Sequence, residues 1–353
     1  MAAIEPTFAQ RLLRWFDTHG RHDLPWQVER SPYTTWVSEV MLQQTQVSAV
    51  IPYFQRFIER FPDISALANA DEDAVFAHWS GLGYYSRARH LHAAAKRCVE
   101  LHDGQVPNDF DALLALPGIG RSTAGAILAQ AYGLPYPILD GNVRRVLARY
   151  LGIEEWTGTS TAQRRLWEFA QEQVPAERTA DYTQAQMDLG SMVCKARKPR
   201  CPECPLRSDC QALAMECTDR IPVAKPRRER PTRHAVAAIL MHDDRVLLIK
   251  RPPAGIWSSL WTLPQADTTE SLLDSLPRVA AQIAAPVALD PIEHAFSHYD
   301  LHLQPLHFGT IELGHSIADR NDVRWLAYNE LNDVGMPAPI RALLANTILR
   351  KPL

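Results

Sequence analysis

Between Pro6 and about Ala214 apolar residues recur at intervals of three and four, and after about residue 234 they fall into short alternating runs. The helical period predicts helices over 7–19, 33–46, 49–60, 71–80, 86–101, 109–114, 122–132 and 143–150. Residues 219–233 carry prolines and charges with no apolar period, as a linker does. Beyond them, β-type runs stand at 235–241, 245–250, 302–312 and 322–326, with Asp243-Asp244 marking a hairpin turn. Helices are expected over 270–284 and 339–348. The pattern thus predicts a multidomain chain: an all-α domain over 1–218, a linker over 219–233 and a smaller α+β domain over 234–353.

Composition changes this picture little. A chain of 353 residues is too long for one compact core, and 46% hydrophobic residues suffice for folded domains. The net charge of −3 gives no argument for nucleic acid, so any such case must come from local patches. No apolar run approaches the roughly 20 residues of a membrane span, and the N-terminus lacks a charged-then-apolar signal pattern. A cytoplasmic protein without a membrane partner is expected, associated with the nucleoid if bacterial.

Cys194, Cys201, Cys204 and Cys210 form C-x6-C-x2-C-x5-C. Without a secretory segment, such tight spacing reads as thiolate ligation rather than a disulfide framework. Four thiolates can hold tetrahedral zinc or a [4Fe-4S] cluster, and the spacing matches neither common ferredoxin run. Lys195, Arg197, Lys198 and Arg200 fill the first interval with no acid among them, and Arg207 lies in the last. This is either a solvated charge run or a cationic loop for phosphates. Cations pinned to a metal-stapled loop lose less entropy on binding than cations on a free tail. Cys98 and Cys217 read as buried or idle thiols.

The run Leu116-Pro117-Gly118-Ile119-Gly120-Arg121-Ser122 joins two helical stretches through a glycine-bracketed turn. Gly118 and Gly120 let backbone approach a ligand, and the following helix N-terminus aims N–H groups at an anion. Alone, it would read as an ordinary corner between helices. Asp140, in Leu139-Asp140-Gly141-Asn142-Val143-Arg144-Arg145, stands where a helix N-cap is expected, a position that holds a carboxylate ionised.

Taken together, the hairpin, the aspartate some twenty residues later and the four-cysteine cluster resemble the DNA glycosylases of the endonuclease III superfamily. The resemblance implies a helix-hairpin-helix fold over about 109–132, with Gly118 and Gly120 against a phosphate of double-stranded DNA. It also implies an aspartate close to the target sugar and a [4Fe-4S] cluster in the loop 194–210, held by Cys194, Cys201, Cys204 and Cys210. Bifunctional members carry a lysine directly after G-x-G-R, where it forms a Schiff base. Here that residue is Ser122, which implies base release with little or no lyase step, as in the MutY family. That branch excises adenine mispaired with 8-oxoguanine or guanine. Where some members place tyrosine in the hairpin this chain again has Ser122, so a tyrosine-dependent contribution is not carried over.

Further matches to that branch are Leu24-Pro25-Trp26, the run from Pro32-Tyr33 to Gln46-Val47, and Gly81-Leu82-Gly83-Tyr84-Tyr85. On a helical wheel Glu39, Gln43 and Gln46 share one side beside the apolar stripe of Trp36, Val37, Val40 and Met41. A carboxylate there can be raised by desolvation, although such a face is more often simply solvated. The resemblance gives Glu39 the role of general acid toward adenine, Asp140 that of an anion beside the oxocarbenium-like sugar, and Asn142 a positioning role. The two acids then need opposite tuning, Glu39 protonated and Asp140 ionised. It further implies Trp26 and Gln184 around adenine, with Gln43, Gln44, Tyr84 and Ser122 also touching substrate. Gln44 and Tyr84 fill the space beside the orphaned base.

The C-terminal region resembles a Nudix-like fold around Gly255-Ile256-Trp257-Ser258-Ser259-Leu260-Trp261. The R-E-x-x-E-E ligand cluster of a Nudix hydrolase is absent from 270–286, which implies binding without hydrolysis. Phe296-Ser297-His298 matches the loop with which the family reads 8-oxoguanine, and Ser297 is the expected direct contact. Competing readings are an oxidised-pyrimidine glycosylase, opposed by Ser122, a nucleoside-diphosphate hydrolase, opposed by the missing ligands, and a DNA-binding module with a dead site. A monomer is expected.

Overall fold

The computed structural model describes residues 6–226, 229–276, 285–296, 298–310 and 322–349. The chain packs as two compact units, Met1–Asn69 with His90–Arg227, and Ala70–Arg89 with Arg228–Leu353. The helical period alone puts 70–89 in the helical region; it reads local conformation and carries no information about packing partner.

In chain order the helices are α1 (Phe8–His19), α2 (Pro25–Val28), α3 (Pro32–Leu42), α4 (Val47–Arg60), α5 (Ile64–Ala68), α6 (Glu72–Trp79) and α7 (Ser86–Leu101). Next come α8 (Phe110–Leu114), α9 (Arg121–Tyr132), α10 (Gly141–Tyr150), α11 (Ser160–Glu172), α12 (Thr179–Asp188) and α13 (Gln211–Ala214). Their starts are written in short polar side chains: Asp63, Asp71, Asp109, Asp140 and Thr159 each accept a first-turn backbone N–H. Phe8, Leu12 and Phe16 of α1 fall on one face by the i, i+4 rule and join a buried core with Val143, Leu147, Leu166, Tyr182 and Leu189. Each such side chain contributes about 1.5–3 kcal/mol by leaving water.

The expected helix over 33–46 ends early. Helix α3 stops at Leu42, Gln43 is its C-cap with ψ 112°, and Gln44 turns left-handed at φ 58° before α4 begins. Gln46 is therefore the N-cap of α4 rather than a neighbour of Glu39 on one face. A single left-handed residue breaks a helix without breaking the apolar rhythm around it. Periodicity does not predict helices α2, α5, α11, α12 and α13; α2, α5 and α13 are one-turn pieces, and α12 mixes Thr, Tyr and Gln into its buried face.

The second unit is built on a sheet of eight strands among the described residues: β1 (Thr232–His242), β2 (Arg245–Lys250), β3 (Trp261–Thr262), β4 (Gln265–Ala266), β5 (Val287–Ala288), β6 (Ile292–Ala295), β7 (Asp300–Thr310) and β8 (Val323–Ala327). Strand β1 runs parallel to β7, with His234 opposite His302, and antiparallel to β2 across the Asp243 turn, where Asp243 has φ 52°. Successive β1 residues feed two cores, Ile239 and Met241 on one face, Ala238 and Leu240 on the other. Helix α14 (Thr269–Ser275) covers part of the expected 270–284, whose residues 277–284 lie outside the described residues; α15 (Ala338–Leu349) matches the other expected helix. Helix α6 docks on this sheet through Asp73, which accepts from Lys250 Nζ at 2.8 Å and Trp261 Nε1 at 3.1 Å.

Candidate active site

Seven of the expected base-side residues meet around one cavity of about 420 Å³ in the first unit, a size suited to a small ligand group. Trp26, Glu39, Gln43, Gln44, Asp140, Asn142 and Gln184 line it, and Ser122 does as well. The left-handed turn after α3 is what brings Gln43, Gln44 and Thr45 to its wall. Trp26 is buried and packs edge-on against Phe54, with ring centroids 5.3 Å apart.

Glu39 keeps some accessibility at the cavity wall, yet burial dominates its chemistry. Desolvation pushes its carboxyl up to about 7; the Asp140 charge adds to the rise, and the bond from Gln130 opposes it. In that bond Gln130 Nε2 donates to Glu39 Oε1 at 2.7 Å. Asp140 caps α10, accepting from Val143 N at 2.7 Å. Its carboxyl also shifts upward by burial, against the lowering pull of the Val143 and Asn142 N–H groups and of Arg145 and Arg144. Burial thus pushes both carboxyls upward, and at Asp140 the cap and the two arginines oppose that push, while Glu39 feels Asp140 as a charge.

A second group of polar residues was not singled out from sequence. Asp188 is 0% exposed and accepts from the Arg21 backbone N at 2.7 Å, from Arg21 Nε at 2.9 Å and from Gln184 Nε2 at 2.8 Å. Gln184 is thereby fixed with its amide nitrogen toward Asp188, and Arg21 also donates to Ser191 Oγ at 3.1 Å. The available signal was weak: an arginine in a loop and an aspartate ending a helix. Gln130 was more visible, being the one amide in the small apolar run of α9.

Ser122 lies in the first turn of α9 and accepts from Leu139 N at 3.0 Å, tying the hairpin helix to the segment that leads into Asp140. Gly118 has φ 79°, and a Cβ there would sit 2.6 Å from His90 Cβ, so conformation and space both demand glycine. Gly120 is the N-cap of α9, and a Cβ on it would meet nothing within 4 Å, which leaves this corner open.

Asn142 and the cysteine loop are joined by arginines. Arg145 Nη2 donates to Asn142 Oδ1 at 2.9 Å, and Arg145 Nε to the Cys194 carbonyl at 2.8 Å. Gly190 permits this, because a Cβ there would lie 2.6 Å from Asn142 Cβ. Arg149, 2% exposed, donates to Cys194 Sγ at 3.3 Å and to the Lys195 carbonyl at 2.7 Å.

Cys194, Cys201, Cys204 and Cys210 border one cavity with Arg149 and Arg207. Among the described residues no group of His, Cys, Asp or Glu is arranged to hold a single metal ion; the four thiols surround a shared space instead. Burial raises the thiols of Cys201, Cys204 and Cys210, Cys204 to about 12, and each also feels the charge of Cys194. Four sulfurs around one shared space, with Arg149 donating to Cys194 Sγ, are the ligand type and number that a [4Fe-4S] cluster takes. The donor set therefore fits an iron–sulfur cluster.

Tyr84, Phe296 and His298 belong to the second unit. Tyr84 is 61% exposed with φ 49°. Arg87 lies over both the Tyr84 and Trp79 rings and donates to the Leu82 and Gly83 carbonyls at 3.2 and 3.1 Å, bracing the loop that presents it. Phe296 packs among Trp257, His294 and Tyr299, and His298 is exposed. Ser297 lies outside the described residues.

Comparison with known proteins agrees with this geometry. Residues 37–172 match the family model of HhH-GPD superfamily base excision DNA repair proteins, 194–210 the iron-sulfur binding domain of endonuclease III, and 235–346 the NUDIX domain. Fold and cavity thus define a helix-hairpin-helix DNA glycosylase with a Nudix-like second domain and a [4Fe-4S] cofactor. The chain is 35% identical to an adenine DNA glycosylase of Buchnera aphidicola (subsp. Acyrthosiphon pisum, strain APS), covering 96% of this chain and 97% of that one. It is 31% identical to the adenine DNA glycosylase of Rattus norvegicus, over 95% and 76% of the two chains. A solved thermostable thymine-DNA glycosylase superposes with TM-score 0.54 at 27% identity, covering 59% of this chain and 95% of its own. The chain belongs to the adenine DNA glycosylase family, enzymes of base excision repair that remove adenine from DNA. Among the described residues no helix is long and apolar enough to cross a membrane.

Proposed function

We propose that the protein hydrolyses the N-glycosidic bond of adenine opposite 8-oxoguanine or guanine, as a monomer and without an efficient lyase step. The observation that carries this reading is Glu39, a carboxyl raised to about 7 in a cavity it shares with Asp140. Adenine is a poor leaving anion. A protonated Glu39 delivers its proton to N7 as the bond breaks, and adenine departs neutral. Asp140 faces the sugar as positive charge develops there, and the approach of that charge favours its ionised form. Glu39, now a carboxylate, accepts a proton from the attacking water, which Asn142 helps place. Trp26 flanks the base, while Gln184, its amide nitrogen held by Asp188, meets the adenine edge. Gln43 and Gln44 line the approach.

Ser122 supports the monofunctional reading, since its hydroxyl is engaged by Leu139 N and offers no amine for a Schiff base. Gly118 and Gly120 support phosphate contact at the hairpin, and Tyr84 fills the gap left when adenine leaves the stack. Phe296, Ser297 and His298 read the opposite base: 8-oxoguanine carries a proton on N7 where guanine has an acceptor. Cys194, Cys201, Cys204 and Cys210 hold the [4Fe-4S] cluster, which when bound staples the cationic loop 195–200 for phosphates. Loss of that staple should weaken binding to matched and lesion-bearing duplexes alike.

The test is a single-turnover incubation with duplexes carrying adenine opposite 8-oxoguanine, guanine or thymine, and thymine glycol opposite adenine, read with and without alkali. Alkali-dependent cleavage at the first two, with the adenine–thymine pair untouched, is expected. Cleavage at thymine glycol without alkali would overturn both the substrate and the monofunctional assignment.

A further inference from the structure

The second unit holds both the exposed Tyr84 and the reading-loop residues Phe296 and His298. Segment 70–89 is anchored at one end by Asp73 on Lys250 and Trp261. Past Tyr84 it is anchored again: Tyr85 Oη donates to the Met336 carbonyl at 2.9 Å, and Arg89 Nη2 donates to the Ser258 carbonyl. Ser258 follows Trp257, which is held at φ 51°. A bulky residue in that region is strained and persists only where its surroundings enforce it. The grip of Arg89 on the next carbonyl is one such constraint. The strained backbone aims the indole at the reading loop, with its centroid 5.6 Å from that of Phe296 and 5.8 Å from that of His294. Arg230 Nη1 also donates to the Phe296 carbonyl at 3.1 Å.

We infer that Arg89 and Trp257 are positioning residues for specificity: they set the reading loop against the Tyr84 segment and thereby set how far excision favours 8-oxoguanine over guanine opposite adenine. This rests on the function proposed above. Neither residue lies in the base cavity, so neither acts on the chemical step.

The experiment measures single-turnover excision by the full-length holoenzyme on both mispairs for wild type, Arg89→Met, Arg89→Lys and Trp257→Leu, each checked by thermal unfolding. Arg89→Met and Trp257→Leu are expected to cut the 8-oxoguanine advantage about five- to tenfold, the size of one lost hydrogen bond or aromatic contact, while leaving the rate opposite guanine unchanged. Arg89→Lys, which keeps a donor for Ser258, should restore part of the advantage. In a Phe296→Ala background Arg89→Met should reduce the ratio no further, a non-additivity that a merely structural role would not produce. Parallel slowing on both mispairs, an unchanged ratio or additive effects would each overturn the inference. Wild type lacking any preference would instead sink the lesion reading beneath it, and the inference with it.

Discussion

In the helical unit the acids proposed to act on adenine sit in a cavity whose polar groups are tied to one another: Glu39 to Gln130, Asp140 to its own helix, Gln184 through Asp188 to Arg21. In the second unit, of the residues proposed to read the opposite base, His298 is exposed and Phe296 is half-buried, held by aromatic rings and by Arg230 on its backbone carbonyl. Proton transfer needs a desolvated acid near neutral pKa, which burial supplies and water would erase. Reading a base edge in a duplex needs donors and acceptors that stay reachable. The cavity should therefore show its loss as catalysis and stability, and the surface should show its loss as discrimination.

The largest expected break is Glu39→Gln. The amide keeps an acceptor for Gln130 and removes the transferable proton, so excision should fall about 10²–10⁴-fold while affinity for lesion-bearing duplex stays within a few-fold. Single-turnover rates beside equilibrium binding decide it; undiminished turnover would remove Glu39 from the acid role. Next is Asp188→Ala, which strands the partly buried Arg21 and frees Gln184. Breaking a buried pair from one side costs roughly 3–5 kcal/mol, to be read from urea unfolding, and a change under 1 kcal/mol would show that the network is dispensable.

Burial of Glu39 also makes stability depend on pH. Its folded value of about 7 lies above the ordinary 4.5, so between those values the folded protein keeps a proton that the unfolded chain has released. This contribution is intact below about pH 4.5 and is lost as pH rises through 7, by roughly 3–4 kcal/mol. E39Q lacks the titration. Wild type and E39Q unfolded in urea from pH 5 to 9 should diverge toward alkaline pH, E39Q losing less; parallel curves would mean that Glu39 is not desolvated.

The two regions were not equally legible in the sequence. Helix starts could be read because Asp and Thr caps act locally, and the hairpin because Gly118 has no steric substitute. The turn at Gln43–Thr45 could not, since φ 58° at Gln44 is fixed by what surrounds it and not by glutamine. Asp188 and Arg21 became visible only in space, because a buried pair separated by 167 residues leaves no spacing signature. Glu39 is intermediate: the apolar stripe beside it made desolvation conceivable, but only packing buries the carboxyl and brings Asp140 near, and these raise it against the opposing bond from Gln130. In the second unit alternation gave the strands, whereas nothing local told that 70–89 packs with them, because a helix pattern is the same whichever core it covers.

The smallest expected effect probes the surface side of the comparison. His298 is exposed beside the ring of Phe296, 6.4 Å between centroids. An exposed side chain outside the core contributes within about 0.5 kcal/mol of stability, so His298→Ala should leave the urea midpoint unchanged. If the loop reads the opposite base, the same change removes a polar group at the lesion edge and should lower the 8-oxoguanine preference about two- to fivefold, the size of a single solvent-accessible hydrogen bond. The rate opposite guanine is the internal control, because a cavity defect would slow both mispairs. A shift in stability with no shift in preference would place His298 among the supporting residues and narrow the reading surface to its neighbours.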